Sequence, residues 1–100
     1  MTTDTTTRAD RLIDAVLSLT GVPLVVVRDP SFRGPEVAHT RRLIAFFTHY
    51  HIGLSVRGTA VLLGVSESTV KRLRGEAFRL CQSDVDFYAD VCRIQEGGVW

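Results

Sequence analysis

A short segment, residues 54–74, restricts the fold of this chain more than any other, because it carries two helical patterns separated by one turn. Ser55 is well placed to cap the first helix. The positions i, i+3, i+4 and i+7 that follow form one small or apolar face: Val56, Thr59, Ala60 and Leu63. Gly64 has no Cβ and therefore suits the left-handed conformation that often ends a helix. The pattern predicts a short helix that stops at a tight turn.

The second half of the segment predicts another helix that crosses the first. Ser66 suits its N-cap, and Val70 and Leu73 give it a buried face, six and nine residues after Gly64. Ala60 lies four residues before the same glycine. Two helices that cross steeply over a short turn need a small residue at their contact, a permissive turn residue and apolar anchors behind it. The spacing therefore favours a helix-turn-helix, and an ordinary pair of core helices is the alternative.

The outer face of the second helix combines short hydroxyls with long cations. Such a composition suits a helix that enters the major groove of DNA and contacts base edges. The residues expected to read bases are Glu67, Ser68, Thr69, Lys71 and Arg72. Charge is gathered in the same region, because residues 28–79 hold nine cations and four acids although the whole chain carries a formal net charge of only +1. This distribution favours a nucleic-acid partner.

The remaining sequence predicts further helices and almost no strand, so the expected fold is a compact all-α bundle of about five helices. The predicted helices span residues 8–20, 35–50, 55–63, 66–80 and 84–95. Residues 1–7 are expected to be disordered, residues 8–95 to form one domain, and residues 96–100 to be a flexible tail. Residues 25–27 are β-branched and fit either an extended segment or a single helical turn.

Apolar residues at helical spacing in these elements predict the core. They include Leu12, Ile13, Val16, Leu17, Leu19, Leu43, Ile44, Phe46, Phe47, Tyr50, Phe78, Val85, Phe87, Tyr88, Val91 and Cys92.

The order of these features resembles the C-terminal DNA-binding domain of the bacterial replication initiator DnaA, over roughly residues 8–95. The signature of that family runs Gly-Arg-Asp-His-(Thr/Ser)-Thr-Val, and the matching stretch here is Gly-Val-Ser-Glu-Ser-Thr-Val, residues 64–70. The resemblance implies that Arg33, in the loop before the second helix, enters a minor groove. It also implies that Arg41 contacts the duplex, with Arg42 beside it, and that Arg57 approaches the DNA backbone. Ser66 and Arg74 are additional candidates for phosphate contacts.

The chain departs from the family at Val65, Ser66 and Glu67, where the initiator has Arg-Asp-His, so the initiator's target sequence does not carry over. No P-loop motif is present, and neither nucleotide nor any other cofactor is expected. Small stand-alone proteins of this kind resemble regulators of phages and gene-transfer-agent systems. The resemblance therefore implies a sequence-specific transcription regulator that binds double-stranded DNA, more specifically an activator that meets RNA polymerase or another regulatory protein. The core Val-Ser-x-Ser-Thr-Val also occurs in resolvase and sigma-like helix-turn-helix units.

Two other functions fit the same residues. One is a replication-origin accessory protein that competes at initiator-type sites, and the other is a protein-binding module with a degenerate helix-turn-helix. An enzyme is not expected, because no nucleophile–base set, metal cluster or phosphate loop can be assembled. His49 and His51 do not share a helix face, so no metal site is predicted.

Three further expectations concern the cysteines, the last residue and the surroundings of the chain. Cys81 and Cys92 are expected to be reduced. Trp100 either docks back on the fold or contacts a partner. No apolar run is long enough to span a membrane, so a cytoplasmic protein is expected, associated with the nucleoid through its DNA binding. No heptad or long apolar tail indicates a dimer, so a monomer is expected.

Overall fold

A computed structural model describes the backbone of residues 2–97 and the side chains from residue 7 onward, and over this part the chain is all-α without a strand. The helices are α1 (Thr2–Thr20), α2 (Leu24–Val27), α3 (Pro35–Phe47), α4 (Val56–Leu63), α5 (Glu67–Ser83) and α6 (Val85–Glu96). A single turn of π-helix, Thr48–Ile52, continues α3. The all-α prediction is confirmed, with α2 as an additional short helix. Trp100, expected either to dock back on the fold or to contact a partner, lies outside the described residues.

Helix α3 forms the centre of the molecule. Its residues 43–47, Leu-Ile-Ala-Phe-Phe, are all buried, which is expected of a helix that has neighbours on every side. Helices α1, α2 and α5 pack against it, and α6 closes the bundle against α1 and α5. Phe47 and Phe87 are the largest fully buried side chains. Burial of apolar area in this core is the main term that stabilises a domain of this size.

The turn between α4 and α5 has the predicted geometry. The Ser55 side chain accepts a hydrogen bond from the Gly58 amide at 2.9 Å, and the Ser66 side chain accepts one from the Thr69 amide at 3.2 Å. Gly64 is left-handed, with φ 68° and ψ 34°. Both predicted N-caps and the predicted helix stop are therefore confirmed.

Helix α2 resolves the alternatives for residues 25–27 in favour of a single helical turn, and it supports the α4–α5 turn from behind. The Arg28 Nε, just after α2, donates to the Leu62 carbonyl at 2.9 Å. A Cβ on Gly64 would lie 2.9 Å from the Arg28 carbonyl oxygen, which is closer than real Cβ contacts. The turn therefore needs glycine for two reasons, its φ angle and the nearness of the Arg28 backbone.

The structure differs from the sequence prediction at three helix ends. Helix α1 begins at Thr2, so residues 2–7, predicted to be disordered, have helical backbone. Adding residues to an existing helix costs much less than nucleating one, which lets a Thr-rich segment extend α1. The helix predicted for residues 35–50 continues as the π-helical turn to Ile52, and α5 extends to Ser83, where Asp84 caps α6 through the Phe87 amide at 3.0 Å.

Five apolar side chains predicted to lie in the core are exposed instead: Leu19, Tyr50, Phe78, Val85 and Tyr88. In α5 the neighbouring Ala77 occupies the buried position, which turns Phe78 outward. In α6 the buried stripe is Phe87, Val91 and Ile94, at i, i+4 and i+7, and this register leaves Val85 and Tyr88 on other faces. The rings of Tyr50 and Phe78 stack on each other at the surface, with centroids 6.1 Å apart.

The two roles of Gly64 can be separated by comparison with Gly53, which is also left-handed (φ 78°) but has nothing within 4 Å of a built Cβ. We expect Gly53→Ala to lower the free energy of unfolding by about 1–2 kcal/mol, the cost of a left-handed alanine. Gly64→Ala should lose about 1–3 kcal/mol more, because the backbone of Arg28 must move. Urea unfolding followed by circular dichroism measures both. Equal losses would mean that the contact with Arg28 does not constrain the turn.

Candidate nucleic-acid interface

The first two turns of α5 present the side chains that the sequence assigned to base reading. Glu67, Ser68, Lys71 and Arg72 are exposed, and Thr69 is half-buried. Lys71 makes no hydrogen bond or ion pair with any described residue, so its ammonium group is available to a ligand. The amides of this first turn and the helix dipole add positive potential at the same end. An anionic partner is therefore favoured at the beginning of α5.

A cleft of about 330 Å³ separates the loop before α3 from α5. Arg33 and Arg42 line the side formed by the loop and α3, while Thr69 and Arg72 line the side formed by α5. Leu73 and Val65 contribute apolar lining. The tertiary structure thus brings Arg33 and Arg72, which are far apart in the sequence, to one surface. Cations on both walls make the cleft suitable for a phosphate-bearing ligand.

One carboxylate lies between two of these cations. Glu76 Oε1 accepts from Arg42 Nε at 3.0 Å, and Glu76 Oε2 accepts from Arg72 Nη1 at 3.0 Å. Burial raises the pKa of Glu76, but the hydrogen bonds from Arg42 and Arg72 outweigh it, and the pKa lies below its ordinary value. Glu76 is therefore ionised at neutral pH. Sequence analysis did not identify it, although its spacing of four residues from Arg72 is a recognised signal for a helical ion pair.

Arg41, predicted to contact the duplex, directs its guanidinium into the fold. It donates to the carbonyls of Val27 at 2.9 Å, Asp29 at 2.8 Å, Phe32 at 3.2 Å and Val26 at 3.3 Å. Burial lowers the pKa of Arg41, and the charge of Asp29 partly offsets this. These bonds satisfy the last carbonyls of α2 and hold the loop that carries Arg33. In this conformation Arg41 fixes the position of the loop that forms one wall of the cleft.

Arg74, also predicted to bind phosphate, lies between α4 and α5. Its Nη2 donates to the Leu54 carbonyl at 2.9 Å and to the Thr59 hydroxyl at 3.0 Å. Burial lowers the pKa of Arg74, and its buried Nε has no hydrogen-bond partner among the described residues. The signal for this placement was present in the sequence, since Arg74 follows Val70 by four residues and so shares the buried side of α5.

Arg57 on α4 and Arg79 on α5 are two further exposed cations. Arg57, at the start of α4, lies 3.8 Å from Glu67 in a loose ion pair with a highly exposed side chain. The Ser66 and Thr69 hydroxyls form a hydrogen bond of 2.9 Å beside the first amides of α5. Arg79 is exposed seven residues after Arg72, on the same face of α5, and sequence analysis missed it. Cations therefore continue along the outer face of α5 beyond the predicted site.

In the part of the chain that the structure describes, no group of three or more His, Cys, Asp or Glu is arranged to hold a metal ion, and both cysteines are free. No described helix is long and apolar enough to cross a membrane. Comparison with protein-family models, with curated proteins and with solved structures finds no match to this chain.

The two buried contacts of Arg74 predict that it acts on stability. We expect Arg74→Met to lower the free energy of unfolding by about 1–3 kcal/mol, because charged hydrogen bonds to Leu54 and Thr59 are lost while the aliphatic volume is kept. Lys71→Met is the matched control, since it removes the same charge from an exposed site and should change stability by less than about 0.5 kcal/mol. Urea unfolding at pH 7 compares the two. If the Arg74→Met protein were as stable as wild type, Arg74 would not act on stability and would again be a candidate for phosphate contact.

Proposed function

We propose that this chain binds double-stranded DNA in a sequence-specific manner and regulates transcription. The proposal is carried by one observation, the cleft in which Arg33 and Arg42 face Thr69 and Arg72 beside the exposed first turns of α5. We propose further that α4 and α5 form a helix-turn-helix and that the whole domain is built like the C-terminal domain of DnaA. The signature-like residues 64–70 support this reading, because they form the turn and the beginning of α5.

In this account α5 lies in the major groove and phosphate contacts flank it. Arg42, Arg57, Ser66 and the first amides of α5 hold the backbone, which supplies most of the affinity. Lys71 and Arg72 donate to guanine O6 and N7, Glu67 accepts from cytosine N4, and the hydroxyls of Ser68 and Thr69 add shorter contacts. Arg33 extends from the loop into the adjacent minor groove, where a narrow A·T-rich segment has the most negative potential. Arg41 and Arg74 position these side chains without touching DNA.

The regulatory role rests on the resemblance to stand-alone regulators of phages and gene-transfer-agent systems. An activator needs a second surface for RNA polymerase or another regulatory protein, and it would act in the cytoplasm at the nucleoid. The DNA-binding role involves neither an enzymatic step nor a cofactor, and one copy of the chain supplies the whole cleft.

One observation favours a second candidate, a module that binds protein and not DNA. The stacked rings of Tyr50 and Phe78 are about half exposed, and Tyr88 is exposed on α6. Exposed aromatic rings are common in protein interfaces. An apolar interface of this kind depends little on salt, whereas contacts to phosphates release counterions and weaken steeply as salt rises.

Salt dependence therefore tests the proposal. A duplex site is first selected from a random pool by the wild-type protein, and its affinity is then measured by fluorescence anisotropy between 50 and 200 mM salt. With about four cations close to phosphates, counting those in the grooves as well as Arg42 and Arg57, the affinity should fall on the order of 100-fold over this range. Failure to select any duplex sequence would remove the DNA-binding function, and salt-independent capture of a protein would favour the second candidate.

Arg33→Ala and Lys71→Ala, which each remove one exposed cation, distinguish a minor-groove contact from a major-groove contact. Lys71→Ala should cost about 1–3 kcal/mol at the selected site, whatever the flanking sequence. Arg33→Ala should weaken binding most where the flank is A·T-rich, because that flank has the narrow minor groove. Anisotropy on duplexes with A·T-rich and G·C-rich flanks compares them. Equal effects of Arg33→Ala on both flanks would place Arg33 outside the minor groove.

A further inference from the structure

We propose that Glu76 is a specificity-determining residue of the DNA-binding surface, one that holds Arg72 in place for base reading and weakens binding to non-cognate DNA. This inference rests on the proposed function. Glu76 is an acid bonded to Arg42 and Arg72, two of the cations that line the cleft.

The contacts of Glu76 support a positioning role. Its carboxylate bridges two helices, since Arg42 belongs to α3 and Arg72 to α5. The side chain of Arg72 is 59% exposed, so without a partner it would sample many rotamers. Glu76 is only 22% exposed and is itself fixed by Arg42, which makes it a rigid anchor for Arg72. A guanidinium held in advance loses less freedom when it binds a guanine edge.

The charge of Glu76 supports the second part of the inference. Each arginine gives Glu76 only one nitrogen, and the structure shows no other hydrogen bond from either guanidinium to a described residue. Both can therefore still donate to DNA while Glu76 repels nearby phosphates. On random DNA, where phosphate contacts dominate, this repulsion lowers the binding affinity. At the cognate site the base contacts of a well-placed Arg72 offset this repulsion. Glu76 therefore increases the ratio of the affinity for the cognate site to the affinity for random DNA.

The experiment uses the full chain and two duplexes, the site selected by the wild-type protein and a scrambled site of the same length. Glu76→Gln should raise affinity for the scrambled duplex by about three- to tenfold at 50 mM salt, because one repulsive charge is removed. Its salt dependence should steepen by about one unit in log K against log salt, because the carboxylate that neutralises one positive charge of Arg42 and Arg72 is removed. Affinity for the selected site should stay the same or fall, because Arg72 is no longer held for base reading, so the ratio of the selected-site affinity to the scrambled-site affinity should decline about threefold or more.

Two further variants separate charge from position. Glu76→Asp keeps the charge but is too short to hold both arginines, so it should bind the scrambled duplex like wild type and the selected site several-fold more weakly. Glu96→Gln, at the exposed end of α6, makes the same change in net charge away from the cleft and should leave the ratio unchanged. Thermal melting by circular dichroism verifies that each variant is folded, and if Glu76→Gln does not fold, Glu76→Asp decides the matter.

The role of Glu76 and the DNA binding of the whole protein can fail separately in this experiment. An unchanged affinity ratio and salt slope in Glu76→Gln, with wild-type DNA binding intact, would overturn the role of Glu76 alone. The same holds if Glu96→Gln lowers the ratio as much as Glu76→Gln. If the wild-type protein selects no duplex, the proposed function fails and this inference fails with it.

Discussion

The close approach of Gly64 to the backbone of Arg28 is the constraint on which the candidate site depends. It sets α2 against the turn that begins α5, and the Arg28 side chain adds a hydrogen bond to the Leu62 carbonyl. Arg41 then ties the end of α2 to the loop that carries Arg33. A change at the turn would therefore move both walls of the cleft. Because Gly64 has no Cβ, its backbone can approach the backbone of Arg28 closely.

Arginine serves two purposes in this protein, and burial separates them. Arg41 and Arg74 are partly buried, donate to carbonyl or hydroxyl oxygens of the chain, and have a pKa lowered by burial. Their planar, many-donor guanidinium groups satisfy several backbone oxygens at once, which a lysine could not do. Arg33 and Arg57 point into solvent, and Arg72 is exposed but held by Glu76. The local surroundings, not the residue type, decide which arginine is available to a partner.

The surface also carries apolar groups that the bundle does not need. Tyr50 and Phe78 are outside the core because the π-helical turn and the register of α5 direct them outward, and they stack on each other. Stacking of this kind reduces the apolar area that each ring exposes. The core is closed without them by Phe47, Phe87 and the aliphatic residues of α1 and α3. Aromatic content alone was therefore a poor guide to burial here.

The sequence alone was sufficient for features that depend on neighbours within four residues. The N-caps Ser55 and Ser66, the left-handed Gly64 and the all-helical class were predicted correctly, because capping bonds and helical periodicity are local. The exposure of Lys71 and Arg72 followed from the same periodicity. The spacing of Arg74 from Val70 placed it on the buried side of α5, but the sequence did not show which oxygens it binds. The contacts of Arg41, the outward positions of Phe78 and Tyr50, and the bridge from Glu76 to Arg42 were not predictable either. They join segments at least nine residues apart or depend on which face of a helix finds a neighbour. Only the packing of α2, α3 and α5 decided these, because it brought Arg33 and Arg72 to one cleft and left Glu76 between two cations.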